Sequence, residues 1–553
     1  YAEVREKNIF YIDKTHMIRE WWDRGDAVTL ITRPRRFGKT LNMNMLECFF
    51  SNKYAGRGDL FEGLSVWEDE SFRKLQGTYP VIALSFAGVK GKDYPDTMQG
   101  IKKQIVRVFS DFSFLRSFEA LDENEKDAFA KIREDMNDVD AAYAINLLSR
   151  LLEKYYGKKV IVLLDEYDTP MQEAYVNGFW DELTAFIRMM FNNTFKTNPS
   201  LERGMMTGIT RVSKESIFSD LNNLNVVTTT SDEYTTSFGF TENEVFIAMD
   251  EQGIAPEEKE KVKRWYDGFT FGTVTDIYNP WSVIMYLDKQ KFEPYWANTS
   301  GNRLVGKLLK EADPDIKSDM ERLLNGEEIE AEIDEQIIFS QLSETRDAIW
   351  SLLLASGYLK VVDFQKGSDI IHPHYRLALT NFEVACMFGS MISDWFRKNY
   401  AFPRFLTAMF AGNVREMNRY MNEVALNTFS YFDTGTHPSG KKEPERFYHG
   451  FVLGLLVDKA KDYVLKSNRE SGYGRYDVVM EPKDAKDIAV IMEFKVYDKE
   501  DGEETLEDTA KNALQQIADK HYDADLLARG IPAERIYQYG FAFEGESCLI
   551  RKA

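Results

Sequence analysis

Four short apolar runs, AVTLIT, PVIALSFA, KVIVLLDE and GMMTGIT, punctuate the chain between Tyr1 and Asp232, and helical stretches tens of residues long separate them. Strands alternating with helices in this way predict a wound α/β domain with a mainly parallel sheet. The first run leads into TLITRPRRFGKTLNM, Thr29 to Met43, where a loop crowded with arginines ends in Gly-Lys-Thr at the start of a helix.

A phosphate-binding loop needs inward backbone N–H groups, a lysine for the β- and γ-phosphates, and a hydroxyl for Mg²⁺ at a helix N-terminus. Gly38, Lys39 and Thr40 supply these in order, and Arg33 stands where the first glycine of such a loop is usual. That bend must then use a conformation open to a residue with a Cβ. Read alone, the stretch is equally a glycine that merely starts a helix. The second half of the signal is VIVLLDEYDTP, where Val160 to Leu164 end in Asp165, an acid placed to hold Mg²⁺, and Glu166, an acid placed to polarise the attacking water. Two solvated acids after a buried strand are the plainer alternative. Thr207, Thr210 and Arg211 follow another apolar run, so Thr210 or Arg211 could read the γ-phosphate, or simply form a polar loop.

Length and composition bound the rest. At 553 residues, 44% apolar and 14% aromatic, the chain outgrows one core and predicts several domains. The net charge of -21 repels polyanions, so nucleic acid would have to be met through a local basic site or a metal. Cys48, Cys386 and Cys548 match no metal-ligand spacing and are too few for a disulfide framework, which suits a reducing compartment. No apolar run nears the ~20 residues that span a bilayer, and the start lacks the order of a signal peptide. The expectation is a soluble, cytoplasmic protein with no membrane partner; a first residue of Tyr1 leaves room for residues upstream.

The expected domains are 1–232, the nucleotide-binding domain; 233–298, a small helical lid in which Thr241 and Glu244 form a capping box; 299–395, a linker or winged-helix-like module; and 396–553. The last reads as helix up to PERFYHGFVLGLLVDKAKDYVL, then RYDVVMEP, DIAVIMEFKVY, the helix KNALQQIADKHY and IYQYGFAFEG, an α-β-β-α-β order that implies a separate α/β domain.

Taken together these residues resemble bacterial AAA-ATPase-like proteins that carry a C-terminal nuclease-like domain. FYIDKT, RPRRFGKT, LLDEYD, TGITRVSKESIFSDLNNL, FGFTENEV, WYDGF, IYNPWSV and YWANTSGN follow in the family's order between Phe10 and Asn302. The resemblance implies a P-loop NTPase sheet, ATP and Mg²⁺ as cofactors, and an arginine-rich loop without its first glycine. It implies nucleotide contacts from Arg36, Phe37, Gly38, Lys39, Thr40, Leu41, Thr210 and Arg211, metal contacts from Thr40 and Asp165, and catalysis by Glu166. Asp13 and Lys14 belong to the family pattern without an assigned role, and a loop-to-helix cap would account for them.

Near the other end, Glu493 and Lys495 lie two apart on the run VIMEFKV and so leave the same face of a strand, with Asp477 sixteen positions earlier. Two carboxylates and a lysine on one face can hold a divalent metal and activate water against a phosphodiester. Charged residues also alternate on many half-exposed strands, so the bare pattern decides little. RYDVVM and AVIMEFKVY resemble PD-(D/E)xK nucleases, which assigns Asp477, Glu493 and Lys495 as catalytic and Asp477 and Glu493 as metal ligands in a restriction-endonuclease-like domain. Glu445 and His449 on a preceding helix and Gln516 and Tyr522 after it fit that likeness, Glu445 equally as an acid at a helix start. Thr380 replaces a usual proline, and Glu546 stands where a lysine would be usual.

Two functions follow. One is an ATP-hydrolysing protein coupled to a metal-dependent nuclease acting on DNA or RNA. The other is a nucleotide-switched signalling or nucleic-acid-binding protein whose nuclease-like site is inactive. A carbohydrate- or peptide-binding role, prompted by 38 Phe, 28 Tyr and 9 Trp, is the weakest reading, because core packing explains those rings. An oligomer completed by Arg211 or Arg203 from a neighbour remains open.

Overall fold

The computed structural model describes residues 1–210, 218, 221–299, 303–311, 314–324, 326–333, 346–365, 374–397, 402–428, 462–471, 474–484, 486–497, 503–544 and 547–553. Two compact units divide them: Tyr1–Leu308 with Glu328–Val384, and Leu309–Glu327 with Ala385–Ala553.

The first unit is built on a five-stranded sheet of β1 (Val28–Thr32), β2 (Val81–Ser85), β3 (Val160–Asp165), β4 (Leu201–Gly208) and β5 (Leu224–Val227), in the order β2-β3-β4-β1-β5. Every pairing is parallel. The four apolar runs are β1 to β4; β1 and β3 are buried along their whole length, as strands covered by helices on both faces must be. The helices between them carry their own stop and start signals. Asn137 accepts from the Asp140 amide at 2.8 Å to open Asp138–Tyr156, and Gly157, at φ +66°, closes it. This order places β4 between β1 and β3, so the ends of all three strands meet at one edge of the sheet.

The segment 233–298, expected to be a small helical lid, keeps the expected capping box: Thr241 accepts from the Glu244 amide, and the Glu244 carboxylate accepts from the Thr241 amide at 2.7 Å. It is not purely helical. β6 (Phe240–Thr241), β7 (Phe269–Phe271) and β8 (Val274–Tyr278) form a three-stranded sheet in the order β6-β8-β7. The hairpin turns at Gly272, φ +55°, where a Cβ would collide with Asp232 and Ser231. Later in the unit, the helix Arg346–Ala355 precedes a second antiparallel sheet in the order β10-β11-β9, with β9 (Ile329–Glu332), β10 (Leu359–Gln365) and β11 (His374–Leu379). β9 comes from IEAE, a strand by its alternation: Ile329 and Ala331 are buried and Glu330 is exposed.

The second unit carries a mixed sheet, β12 (Tyr463–Ser471), β13 (Gly474–Pro482), β14 (Ala489–Val496), β15 (Ile536–Glu544) and β16 (Ser547–Lys552), side by side in chain order. Only β14 and β15 run parallel, and the helix Leu506–Asp519 makes the crossover between them. Period two splits the strand residues between two cores. Val478, Met480, Val490, Met492 and Phe494 pack with the helices Phe402–Phe410 and Val414–Thr428, while Val479 and Ile491 pack with Ile517 of the crossover helix. The strand β12 begins inside the segment expected to be helical, and β16 adds an edge strand to the expected order; Glu445, His449 and Glu546 lie outside the described residues.

Candidate functional site

Gly38, at φ +82°, caps the helix Lys39–Phe50, and Arg36 is also left-handed at φ +64°. Left-handed residues spaced this way turn successive amides toward one concavity, an anion-binding nest at a helix N-terminus. Arg33 is not left-handed, so its Cβ costs nothing there. Its side chain is fully buried; the guanidinium donates to the carbonyls of Thr32 at 2.9 Å, Thr228 at 2.6 Å and Glu233 at 3.2 Å, and lies 4.4 Å over the Phe271 ring. Arg33 therefore braces the loop against the segment after β5 and the β7–β8 hairpin. Phe37 is buried against Phe269 and Phe271, and Arg36, exposed, lies 5.0 Å over Trp281.

Lys39 is 5% exposed and donates to the carbonyls of Arg33 at 2.9 Å and Pro34 at 2.8 Å. Burial pushes its amine down to about 8, opposed by the acids Asp168, Glu166 and Asp165 and helped by Arg35 nearby. Asp165, at the end of β3, is gripped from both sides. Thr40 Oγ1 donates to one carboxylate oxygen at 2.7 Å and Thr207 Oγ1, from the end of β4, donates to the other at 2.5 Å. Glu166 is itself left-handed, φ +52°, an uncommon conformation for a residue with a Cβ and one that clusters at functional sites.

On β14 the expected face holds. Phe494 is in the core while Glu493 and Lys495 turn to the other side; Glu493 is 3% exposed and its carboxylate accepts from the Gln516 amide of the crossover helix, which also donates to the Tyr522 hydroxyl at 3.2 Å. Val478 pairs with Met492, so Asp477 precedes the paired stretch on the neighbouring strand; its side chain lies outside the described residues.

With both arrangements in view, the likenesses are specific. Residues 1–218 match the model of a predicted AAA-ATPase, and residues 443–553 match that of the PD-(D/E)XK nuclease superfamily. The chain carries an AAA-ATPase-like domain and a PD-(D/E)XK nuclease superfamily domain. A curated relative from Azotobacter chroococcum mcd 1, described as an uncharacterized protein in the vnfD 5' region, is 24% identical over 99% of this chain and 95% of its own length. A crystal structure from Pyrococcus horikoshii, a signal transduction ATPase with numerous domains and a tetratricopeptide repeat sensor, is 13% identical with a TM-score of 0.24. That match covers 81% of this chain, which spans about half, 54%, of the solved one.

Within the ATPase-like domain two residues have other tasks than those expected of them. Thr210 is fully buried, and its amide and hydroxyl both point to Asp168 Oδ2, at 3.0 and 3.2 Å, so its polar groups serve a carboxylate rather than a phosphate. Arg203 donates to the carbonyls of Trp21 and Trp22 and lies 4.2 Å over the Trp22 ring, which engages it within its own domain. Arg211 lies outside the described residues.

The YIDKT residues act as a clasp. Asp13 accepts from the amides of Thr15 and Ser65, each at 2.8 Å, and Lys14 pairs with Glu244 at 2.7 Å, joining the YIDKT segment to the Thr241–Glu244 capping box. Asp168 was not anticipated: buried, it receives Ile209, Thr210 and Gln172 at 2.9 to 3.2 Å and locks the loop after Glu166 onto the end of β4. Its signal was present as the third acid of DEYD. Glu383 was also missed. Wholly buried, it accepts from the amides of Trp296 and Ala297 and from Ser282 Oγ, so it ties IYNPWSV and YWANTSGN to TNFEV. Burial pushes its carboxyl up to about 7.

Proposed function

We propose that the chain binds and hydrolyses ATP in its AAA-ATPase-like domain and that this cycle governs a metal-dependent site in its nuclease-like domain that cleaves nucleic-acid phosphodiesters. The observation that carries the ATPase reading is the hydrogen-bonded line Thr40–Asp165–Thr207 beside the buried Lys39. A hydroxyl and a carboxylate are the hard oxygen donors that Mg²⁺ takes, and Thr207 fixes the carboxylate's orientation, so these residues fit the ion. Mg²⁺, when bound, supplies neutralising charge on the β- and γ-phosphates. Lys39 exchanges its loop carbonyls for phosphate oxygens, the amides from Arg36 to Leu41 cradle the phosphates, and Glu166 orients the attacking water.

In the nuclease-like domain Glu493 and Asp477 would hold a divalent ion, and Gln516 keeps the Glu493 carboxylate turned to the Lys495 face. Lys495 would polarise water or steady the developing charge on the phosphodiester.

Steady-state phosphate release with and without Mg²⁺, for the wild type and Lys39→Ala, tests the first half. Nicking of single- and double-stranded DNA and of RNA, compared with Lys495→Ala and with chelated metal, tests the second. Release that is equal in wild type and Lys39→Ala defeats the ATPase reading, and nicking that survives Lys495→Ala defeats the nuclease reading.

A further inference from the structure

The three arginines of the loop do different work. Arg33 is spent on backbone carbonyls and Arg36 lies outward on Trp281, whereas Arg35, half-buried, turns to the side of the loop where Glu166 and Asp168 stand and donates to Gln172 at 3.3 Å. A pocket opens beside it, with Gln172 and Thr210 on one wall and Trp296, Ser356 and Tyr358 on the other; aliphatic side chains make up the rest. Gln172 stands on the helix Thr169–Asn177 that follows the acid pair and Thr210 just past the end of β4, and both hydrogen-bond to Asp168, so the pocket lies beside the acid-pair end of the site. Its other wall comes from YWANTSGN and the stretch joining the helix Arg346–Ala355 to β10.

Two observations give the pocket an anionic occupant. Arg35 lines it, half-buried, and its guanidinium donates to the neutral Gln172 side chain, with no carboxylate in ion-pairing distance among the described residues. Independently, Trp296 is 1% exposed and its indole Nε1–H has no acceptor among the described residues, a buried donor that costs free energy until it is met. The space holds only a few waters' worth of volume, enough for a tetrahedral oxyanion and too little for a nucleoside.

We propose that this pocket is an oxyanion subsite, in which Arg35 and the Trp296 indole receive the terminal phosphoryl group of a bound nucleotide or the inorganic phosphate released from it. Through it the helix–hairpin segment around Ser356 and Tyr358 senses which nucleotide is present. This rests on the nucleotide reading above.

The test uses the full chain as wild type, Arg35→Ala and Trp296→Phe, the last keeping the ring that packs on Phe269 and Tyr358. Calorimetry with Mg²⁺ measures ADP, ATPγS, and inorganic phosphate added to the ADP complex, with thermal midpoints checking that each variant is folded. Wild type should prefer ATPγS over ADP. Both variants should lose about tenfold in ATPγS affinity, in phosphate affinity, or in both, while ADP affinity changes by less than about threefold. A loss confined to ATPγS identifies the attached phosphoryl group as the occupant, and one confined to phosphate identifies the product; either supports the subsite. Equal losses for ADP and ATPγS, or no loss in Trp296→Phe, overturn it. Wild type that binds no ADP would instead overturn the nucleotide reading, a distinct failure.

Discussion

The two candidate sites are built in contrasting ways. In the ATPase-like domain Lys39 opens the helix after β1 while Asp165 and Thr207 end β3 and β4, elements separated by long helical excursions, and the sheet order β2-β3-β4-β1-β5 brings them together. In the nuclease-like domain Glu493 and Lys495 sit on one strand, two residues apart, and the alternation of β14 alone puts them on one face. The first site is thus held by side-chain hydrogen bonds between elements; the second is set by strand geometry, with the Gln516 amide bracing Glu493. A site of the first kind should fail when a bracing residue far from the chemistry is removed. A site of the second kind should fail mainly through the residues that do the chemistry.

The largest effect is therefore expected on β14. Lys495→Ala should lower nicking by about a thousandfold with unfolding behaviour unchanged, because its side chain leaves the core and only its charge is lost. A fall in the denaturation midpoint matching the loss of nicking would break the comparison. Next, Lys39→Ala should weaken ATP binding by about a hundredfold, read by calorimetry, since the amide nest and Thr40 remain.

Arg33→Gly sharpens the contrast further. As a residue occupying the bend where a glycine is usual, Arg33 invites replacement by glycine without loss. Its buried guanidinium, bonded to the carbonyls of Thr32, Thr228, Glu233 and Tyr234 and stacked on the Phe271 ring, implies a loss of about 3 kcal/mol in unfolding free energy, and of the loop's shape with it. Equilibrium urea denaturation measures this, and a variant as stable as the wild type would reduce Arg33 to a spectator.

That reversal marks where the residues were legible and where they were not. β1 to β4, the Thr241–Glu244 box and the shared face of Glu493 and Lys495 follow from local rules of period, capping and alternation, which need no knowledge of what lies across the fold. The tasks of Arg33 and Arg203 depend on partners 181 to 201 residues away, such as the Trp21 carbonyl for Arg203 and Glu233 for Arg33, and that of Thr210 on Asp168 across a strand pair. A charged side chain beside a phosphate loop reads as a phosphate ligand until its tertiary partner is seen. The strands β9, β12 and β16 were hidden for another reason: charge and short length mask period two, and tertiary pairing outweighs their weak local preference.

The smallest effect tests whether the ATPase-like domain's reliance on distant braces extends to Glu383, which joins three segments around a single carboxylate. Burial raises its folded pKa to about 7 from an ordinary value of 4.5, so the folded chain holds a proton there that the unfolded chain releases. The stability contributed by that proton is fully present below pH 4.5 and is lost as pH rises through 7. Between pH 5 and 8 the wild type should accordingly lose about 2 kcal/mol relative to Glu383→Gln, whose amide does not titrate; its oxygen can accept from Trp296 and Ala297 and its NH₂ can donate to Ser282. Denaturant midpoints of the two proteins across that range isolate this group from others that titrate in the same window, such as Asp267, whose carboxyl is also raised to about 7 by burial. Parallel curves for the two proteins would mean that the Glu383 carboxylate stays charged in the fold. Its two backbone amides and one hydroxyl would then be enough to hold a buried charge, and the brace would be as strong in its ionised form as in its neutral one.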